Sequence, residues 1–252
     1  MAALRGRYDQ ARAHFERALK IQEKSLGDDH PGLARTLSNL GTISRIQGEL
    51  DAAEDYYERA LDIQERTLGA DHADVGQTLS NLGTVAQSRQ DYDTARKHQL
   101  RSLEVLEAKL GRDNVQTALP LSNLAYIAAA VGDHAQALAY HQRALTIYEA
   151  SLDPGAPDIG TAEHGVGEAL LGLGQTQEAM VHLERAVAVL EAGKGDPGDL
   201  GQARFALARA MWKSRGAKAG ATDLARRALD DLGDGADDAA TRADIEAWLA
   251  KH

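Results

Sequence analysis

Apolar side chains recur along this chain every three or four residues, the spacing of a helix face rather than of a strand. Leu33, Leu37, Leu40 and Ile43 mark one such face over about 32–47. Gly48 and Glu49 break it. A second helix over 50–68 carries Leu50, Ala53, Tyr57, Ala60, Leu61 and Leu68, and Gly69 follows as the residue best suited to closing it. The two-helix pattern then repeats. It predicts first-type (A) helices near 32–47, 73–89, 115–130, 157–173 and 199–214. Second-type (B) helices fall near 7–26, 50–68, 92–110, 134–152, 176–192 and 218–232. A final helix near 237–250, with Ile245, Trp248 and Leu249 on one side, reads as a terminal cap.

The turn pairs Gly6/Tyr8, Gly48/Leu50, Gln90/Tyr92, Gly132/His134, Gly174/Thr176 and Gly216/Lys218 step by 42 residues, with no insertion or deletion. A period of that size identifies an all-α solenoid, in which each antiparallel helix pair stacks on its neighbours. The expected organisation is a single solenoid over 1–252. It consists of an orphan B helix (7–26), repeats at 32–68, 73–110 and 115–152, weaker repeats at 157–192 and 199–232, and a cap at 237–250. The first B helix lacks an A partner, so the chain reads as part of something longer or as pairing there with another chain. The joints between units share a pattern, Gly27-Asp28-Asp29-His30-Pro31 and Gly111-Arg112-Asp113-Asn114, that orients the next helix. Pro31 suits a helix start, where its missing N–H costs nothing.

Composition narrows the function. Hydrophobic residues make up 43% of the chain but aromatics only 4%, which suits the thin, continuous core of a solenoid better than one large core. There is no cysteine, so disulfides and thiolate metal sites are excluded. A net charge of −10 makes duplex nucleic acid a poor partner. No stretch reaches the length of a membrane span, and the first ten residues hold no apolar signal region. A soluble cytoplasmic protein is expected.

Leu40, Gly41, Ala53, Tyr57 and Ala60 follow the leucine, small, alanine, aromatic, alanine pattern of tetratricopeptide repeats. The pattern recurs as Leu82, Gly83, Ala95, Gln99 and Ser102, and as Leu124, Ala125, Ala137, His141 and Ala144. With the His30-Pro31 joint and Leu37-Ser38-Asn39-Leu40-Gly41, the chain resembles the 42-residue repeats of kinesin light chain and of bacterial signalling proteins. The resemblance implies a right-handed superhelical solenoid and a protein–protein interaction scaffold, with A helices lining a concave groove.

In such a groove the inward residue before the leucine–small pair is Asn39, Asn81 and Asn123 here, and Gly165 in the fourth unit, which leaves that place empty. Asparagine is a poor helix former, so three at one register need a reason. Either the carboxamides meet the backbone of an extended peptide, or they bond to the neighbouring repeat and hold the twist. Other inward positions are Arg35, Ser38, Thr42 and Arg45, then Gln77, Ser80, Thr84 and Gln87, then Leu119 and Tyr126, then His164 and Glu168. The groove grades from basic at Arg35 and Arg45 to apolar at Leu119 and Tyr126, so a peptide acidic at one end and apolar at the other fits it. Gln77 and Leu119 stand where a full carboxylate clamp would want bases.

Nine histidines invite a metal reading, but His14, His98 and His182 share a B-helix packing register with Tyr56 and Tyr140, and His141 shares one with Tyr57. The acidic run Asp230, Asp231, Asp234, Asp237 and Asp238 lacks calcium-loop spacing; Asp237 suits the start of the last helix. No metal, cofactor or catalytic constellation is expected. The partner is a protein or extended peptide; the alternative is self-association, with Leu19 and Phe15 on the open face of helix 7–26.

Overall fold

The computed structural model describes residues 2–27, 29–193, 195–214, 218–233 and 236–252, with only the backbone described for residues 2–6, 219, 236 and 237. The expectations for Asp28, Gly216, Asp234 and the side chain of Asp237 fall outside that description.

The helices are α1 Ala2–Leu26, α2 Pro31–Ile46, α3 Leu50–Leu68, α4 Ala73–Ser88, α5 Tyr92–Leu110 and α6 Ala118–Ala130. They continue as α7 His134–Ser151, α8 Pro157–Gly172, α9 Thr176–Ala192, α10 Pro197–Lys213, α11 Lys218–Asp231 and α12 Ala236–Leu249. A 3-10 turn, Val115–Thr117, precedes α6 where the sequence predicts continuous helix. No strand occurs among the described residues. The protein is an all-α solenoid of paired antiparallel helices.

Contacts divide the chain into two compact units, Met1–Ile127 and Ala128–His252. In the first, α1 packs on α2, α2 on α3, α3 on α4 and α4 on α5, while α2 also touches α4. In the second, α7 packs on α8 and so on in order to α12, while α8 also touches α10, and α10 touches α12. Thus α2, α8 and α10 each meet both their own B partner and the next A helix. That is the contact pattern of a stack.

Local chemistry sets the joints. His30 and His72 are N-caps: Nδ1 of His30 accepts from the Gly32 N–H at 3.0 Å, and Nδ1 of His72 from Asp74 N–H at 3.2 Å. Asn114 Oδ1 does the same for Gln116 N–H at 2.9 Å. Each cap satisfies one of the orphan donors of a helix start. At the A–B break Gly48 has φ 79°, a conformation L side chains avoid. Gln90 holds the equivalent place at φ 61° without glycine's freedom.

Small residues let the helices close up. A Cβ on Gly41 would lie 2.8 Å from the ring of Tyr57, which is fully buried. One on Gly83 would meet Gln99 at 2.5 Å. Near the starts of α4 and α8, Gly76 faces Leu106 at 2.8 Å and Gly160 faces Leu190 at 2.7 Å. The third member of that series is Gly201 against Leu232 at 2.9 Å. Leu190 to Leu232 keeps the 42-residue step, but Gly160 to Gly201 is one residue short. The expectation of an uninterrupted register thus fails at α10. The helix starts at Pro197, 40 residues after Pro157 opens α8, so the slip is taken up at its ends.

Two further expectations are corrected. Leu19 is buried against Leu33 and Leu37, with Phe15 packed on the same cluster, so neither lies on an open face of α1. Among the described side chains of α1, the exposed large apolar ones are Ile21 and Leu26. His182, expected to pack as an aromatic substitute, bonds through Nδ1 to Glu163 Oε2 at 2.6 Å. Glu163 is fully buried at a register that holds Leu37, Leu79 and Leu121 in the preceding repeats, and Arg185 also pairs with it. The B helices carry a charge ladder as well. Arg59 pairs with Glu23 at 2.8 Å and Arg101 with Glu65 in the first unit, and Arg185 with Glu149 at 2.6 Å in the second.

The C-terminal helix α12 packs on α10 and α11. Ile245 is fully buried, and Trp248 and Leu249 pack with it on Phe205, Ala228 and Leu232.

Candidate functional site

In the first unit α2, α3 and α4 enclose a cavity of about 500 Å³. Six of the inward positions read from the sequence line it: Arg35, Ser38, Asn39 and Thr42 from α2, and Gln77 and Asn81 from α4. Asn39 is exposed and Asn81 half-buried, and neither side chain makes a hydrogen bond among the described residues. Asn123 differs. Its Nδ2 donates to Thr84 Oγ1 at 3.4 Å, the inter-repeat bond of the structural alternative. Thr84 itself donates to the Ser80 carbonyl at 3.0 Å.

The two serines of the groove diverge for a traceable reason. Ser80 Oγ donates to Gln99 Oε1 at 2.9 Å, and Gln99 Nε2 returns a bond to the Ser80 carbonyl at 2.9 Å. Gln99 is therefore fully buried yet satisfied. One repeat earlier its place is taken by Tyr57, whose hydroxyl reaches past Ser38 to Thr42 Oγ1 at 2.8 Å. Ser38 Oγ is left buried with no partner. Burial pushes the Tyr57 phenol up, with Thr42 and the charge of Arg45 acting against it. Arg45 thus serves Tyr57 and is not among the residues lining the cavity.

The sequence reading missed Gln64, His72, Asp74 and Thr78 on the same wall. Gln64 is 6% exposed, and its Oε1 has no hydrogen-bond partner. Its register holds Gln22 one repeat back and Leu106, Tyr148, Leu190 and Leu232 further on, so the sequence alone does not mark Gln64 out. Elsewhere in the unit Gln87 Oε1 is buried without a partner, and Leu119 and Tyr126 of α6 are 45% and 52% exposed.

The second unit treats its inward positions differently. Glu168 pairs with Arg209, and His164 Nε2 lies 3.8 Å from the same carboxylate oxygen. Burial opposes the charge on Glu168, but His164 and Arg209 outweigh it and hold the carboxyl at about 2. Arg209 also sits over the Phe205 ring, 5.2 Å from its centroid. Gly165 does not leave an empty place in the asparagine register. The His141 ring lies directly over it, in the space a Cβ would need. Burial, aided by the neighbouring His164, lowers His141 to about 4, so its ring is neutral at physiological pH.

Among the described residues, no group of three or more His, Cys, Asp or Glu side chains could hold a metal ion. No described helix is long and apolar enough to cross a membrane.

Stacked helix pairs with small residues at each crossing and polar side chains along the A helices define a helical-repeat protein of the binding type. The Tetratricopeptide repeat family matches residues 1–66, 39–108, 74–150 and 116–192, and the chain belongs to that family. Among solved structures it is similar to BtubC (BKLC) from P. vanneervenii, at 20% identity and TM-score 0.73, covering 89% of this chain and 90% of that one. A Podosopora anserina putative kinesin light chain with nearly identical TPR-like repeats aligns at 21% identity and TM-score 0.65, covering 80% and 96%. A Rap protein complexed with Competence and Sporulation Factor aligns at 17% identity and TM-score 0.67, covering 98% and 72%. At these identities the likeness is one of fold. No curated protein matches the chain.

Proposed function

We propose that the protein is a non-catalytic interaction scaffold of the 42-residue, kinesin-light-chain-like kind, working in the cytoplasm. Its A helices receive an extended segment of a partner protein. The observation that carries this reading is the pair Asn39 and Asn81, side by side on one cavity and unbonded within the protein. A helix-interior asparagine without an internal partner is unfavourable, and a peptide backbone supplies both the acceptor and the donor it lacks. Arg35 makes no ion pair among the described residues and draws an acidic residue to one end. The exposed Leu119 and Tyr126 give the other end an apolar surface. Thr84, Gln87 and Asn123 lie between. Glu168 falls outside the contact set because Arg209 already pairs with it, and His164 lies beside the same carboxylate.

The test is an array of decapeptides probed with the wild-type chain and with Asn39→Ala/Asn81→Ala. Peptides captured by the wild type should be lost in the double variant at unchanged helicity. Equal capture by both would sink the groove reading. Self-association, the alternative use of α1, would have to run through Ile21 and Leu26; a charge at Ile21 would then abolish concentration-dependent assembly.

A further inference from the structure

We propose that the cavity beneath Asn39 and Asn81 is a side-chain pocket for a neutral carboxamide of the bound segment, selected by Gln64. The proposal deepens the groove reading and rests on it.

Gln64 occupies a register that holds glutamine at 22, leucine at 106, 190 and 232, and tyrosine at 148. Leu106, Leu190 and Leu232 fit there because Gly76, Gly160 and Gly201 stand opposite, each so close to the leucine Cγ or Cδ2 that no Cβ could be added. Opposite residue 64 the register carries Ala34, which is buried and already has its Cβ. The same register sets Tyr148 opposite Ala118, so an alanine there does not by itself call for glutamine. One repeat back, Gln22 Oε1 accepts from Thr36 Oγ1 at 2.8 Å, whereas the carbonyl oxygen of Gln64 is buried with no donor. Methionine would fill the place and leave no polar atom behind. Burying an unpaired polar group destabilises the fold. Such a residue makes sense where a ligand completes its bonding.

The pocket's chemistry points to a carboxamide. Ser38, which also lines the cavity, holds a second buried oxygen without a partner. A serine hydroxyl both donates and accepts, and the terminal torsion of glutamine is broad and two-fold, so its amide can turn either end toward the cavity. Together they call for a group with a donor and an acceptor side by side. A carboxylate lacks the donor and would face the acceptors of Gln64 and Asp74. An ammonium lacks the acceptor and would face Arg35. One charge of each sign at the wall, Arg35 and Asp74, leaves neither ion favoured. His72, whose Nδ1 accepts the Asp74 N–H at 3.2 Å, completes the wall.

Depth separates side chain from backbone. Asn39 is exposed, whereas Gln64 is 6% exposed. An extended segment bonded to the asparagines runs at their level, and only its side chains, which alternate in direction, reach Gln64. A ligand asparagine or glutamine is the expected occupant.

The experiment titrates the 15N-labelled full chain with acetamide, acetate and methylammonium. It compares wild type, Gln64→Met and Gln64→Glu. In the wild type, acetamide should shift the Gln64 side-chain NH2 signal with half-saturation about tenfold below that of either ion. Gln64→Met should show no saturable response and should melt about 2–4 °C higher, having lost the unpaired amide. Gln64→Glu, which offers only acceptors, should turn the preference to methylammonium. Acetate binding as well as acetamide, a saturable response surviving in Gln64→Met, or a lower melting point for that variant would each overturn the pocket. If acetamide leaves Gln64 unmoved while array-selected decapeptides still shift Asn39 and Asn81, the pocket falls and the groove stands. If the decapeptides shift neither, the groove falls too.

Discussion

The two units use one scaffold and settle its inward-facing polar positions in different ways. In the first, Ser38, Asn39, Gln64 and Asn81 surround a cavity without internal partners for the groups that matter. In the second, the position equivalent to Asn81 is Gly165, covered by the His141 ring, and Glu168 is held by Arg209. Both stack antiparallel helix pairs. What differs is which polar groups are left open: Ser38 Oγ and Gln64 Oε1 at the cavity in the first, and His134 Nδ1, His141 Nδ1 and His164 Nε2 in the second. Binding capacity in a repeat protein therefore lies where internal hydrogen bonding is left incomplete at a cavity, and that costs stability.

The strongest way to break the comparison is to give the second unit the asparagine it lacks. Gly165→Asn drives a Cβ into the His141 ring, and overpacking of this kind costs about 1–3 kcal/mol or more. Chemical denaturation should show that loss, and His141→Ala should restore part of it by making room. A loss unrelieved by the second substitution would mean that the ring does not occupy that space.

Acid should separate the units next. Folding lowers His141 from its ordinary 6.5 to about 4, so the unfolded chain takes up this proton first. Stability then falls as the pH drops from 6.5 toward 4 and levels off below, by about 3–4 kcal/mol at most. Replacing His141 with phenylalanine should remove that slope from the denaturation midpoints. Glu168 adds a separate loss lower down, from its ordinary range through about 2.

In the first unit, Asn81→Ala should weaken an array-selected decapeptide about tenfold in fluorescence anisotropy while changing stability by less than about 0.5 kcal/mol. An equal fall in both would assign Asn81 to structure. The smallest effect expected is on the B-helix ladder. Arg101→Ala removes an exposed pair with Glu65 and should cost at most about 1 kcal/mol, vanishing in high salt.

Most of the fold was legible in the sequence, because helix faces and their breaks are local properties. Leu33, Leu37, Leu40 and Ile43 announce α2 by spacing alone, and Gly48 marks its end. The slip at α10 was hidden because Gly174 and Gly216 keep a 42-residue step while the helix between them shifts within its loops. The candidate site was half legible. Asn39 and Asn81 stand out as polar residues inside a helix, but Ser38 and Ser80 look alike in sequence. Only packing distinguishes them, since Gln99 captures one and Tyr57 passes the other by. Gln64 was overlooked because B-helix positions were read as scaffold. Glu163 and His182 were unreadable as a pair, since 19 residues separate them and each alone resembles a packing substitution.

The central claim is that the unsatisfied amides of the first unit form the recognition surface. Its most direct test is side-chain NH2 mapping by 15N NMR with a decapeptide selected on the array. The account predicts that the signals of Asn39, Asn81 and Gln64 move on saturation while those of Gln177 and Gln202 in the second unit stay fixed. Movement confined to the second unit, or the three first-unit signals unchanged at saturation, would contradict it.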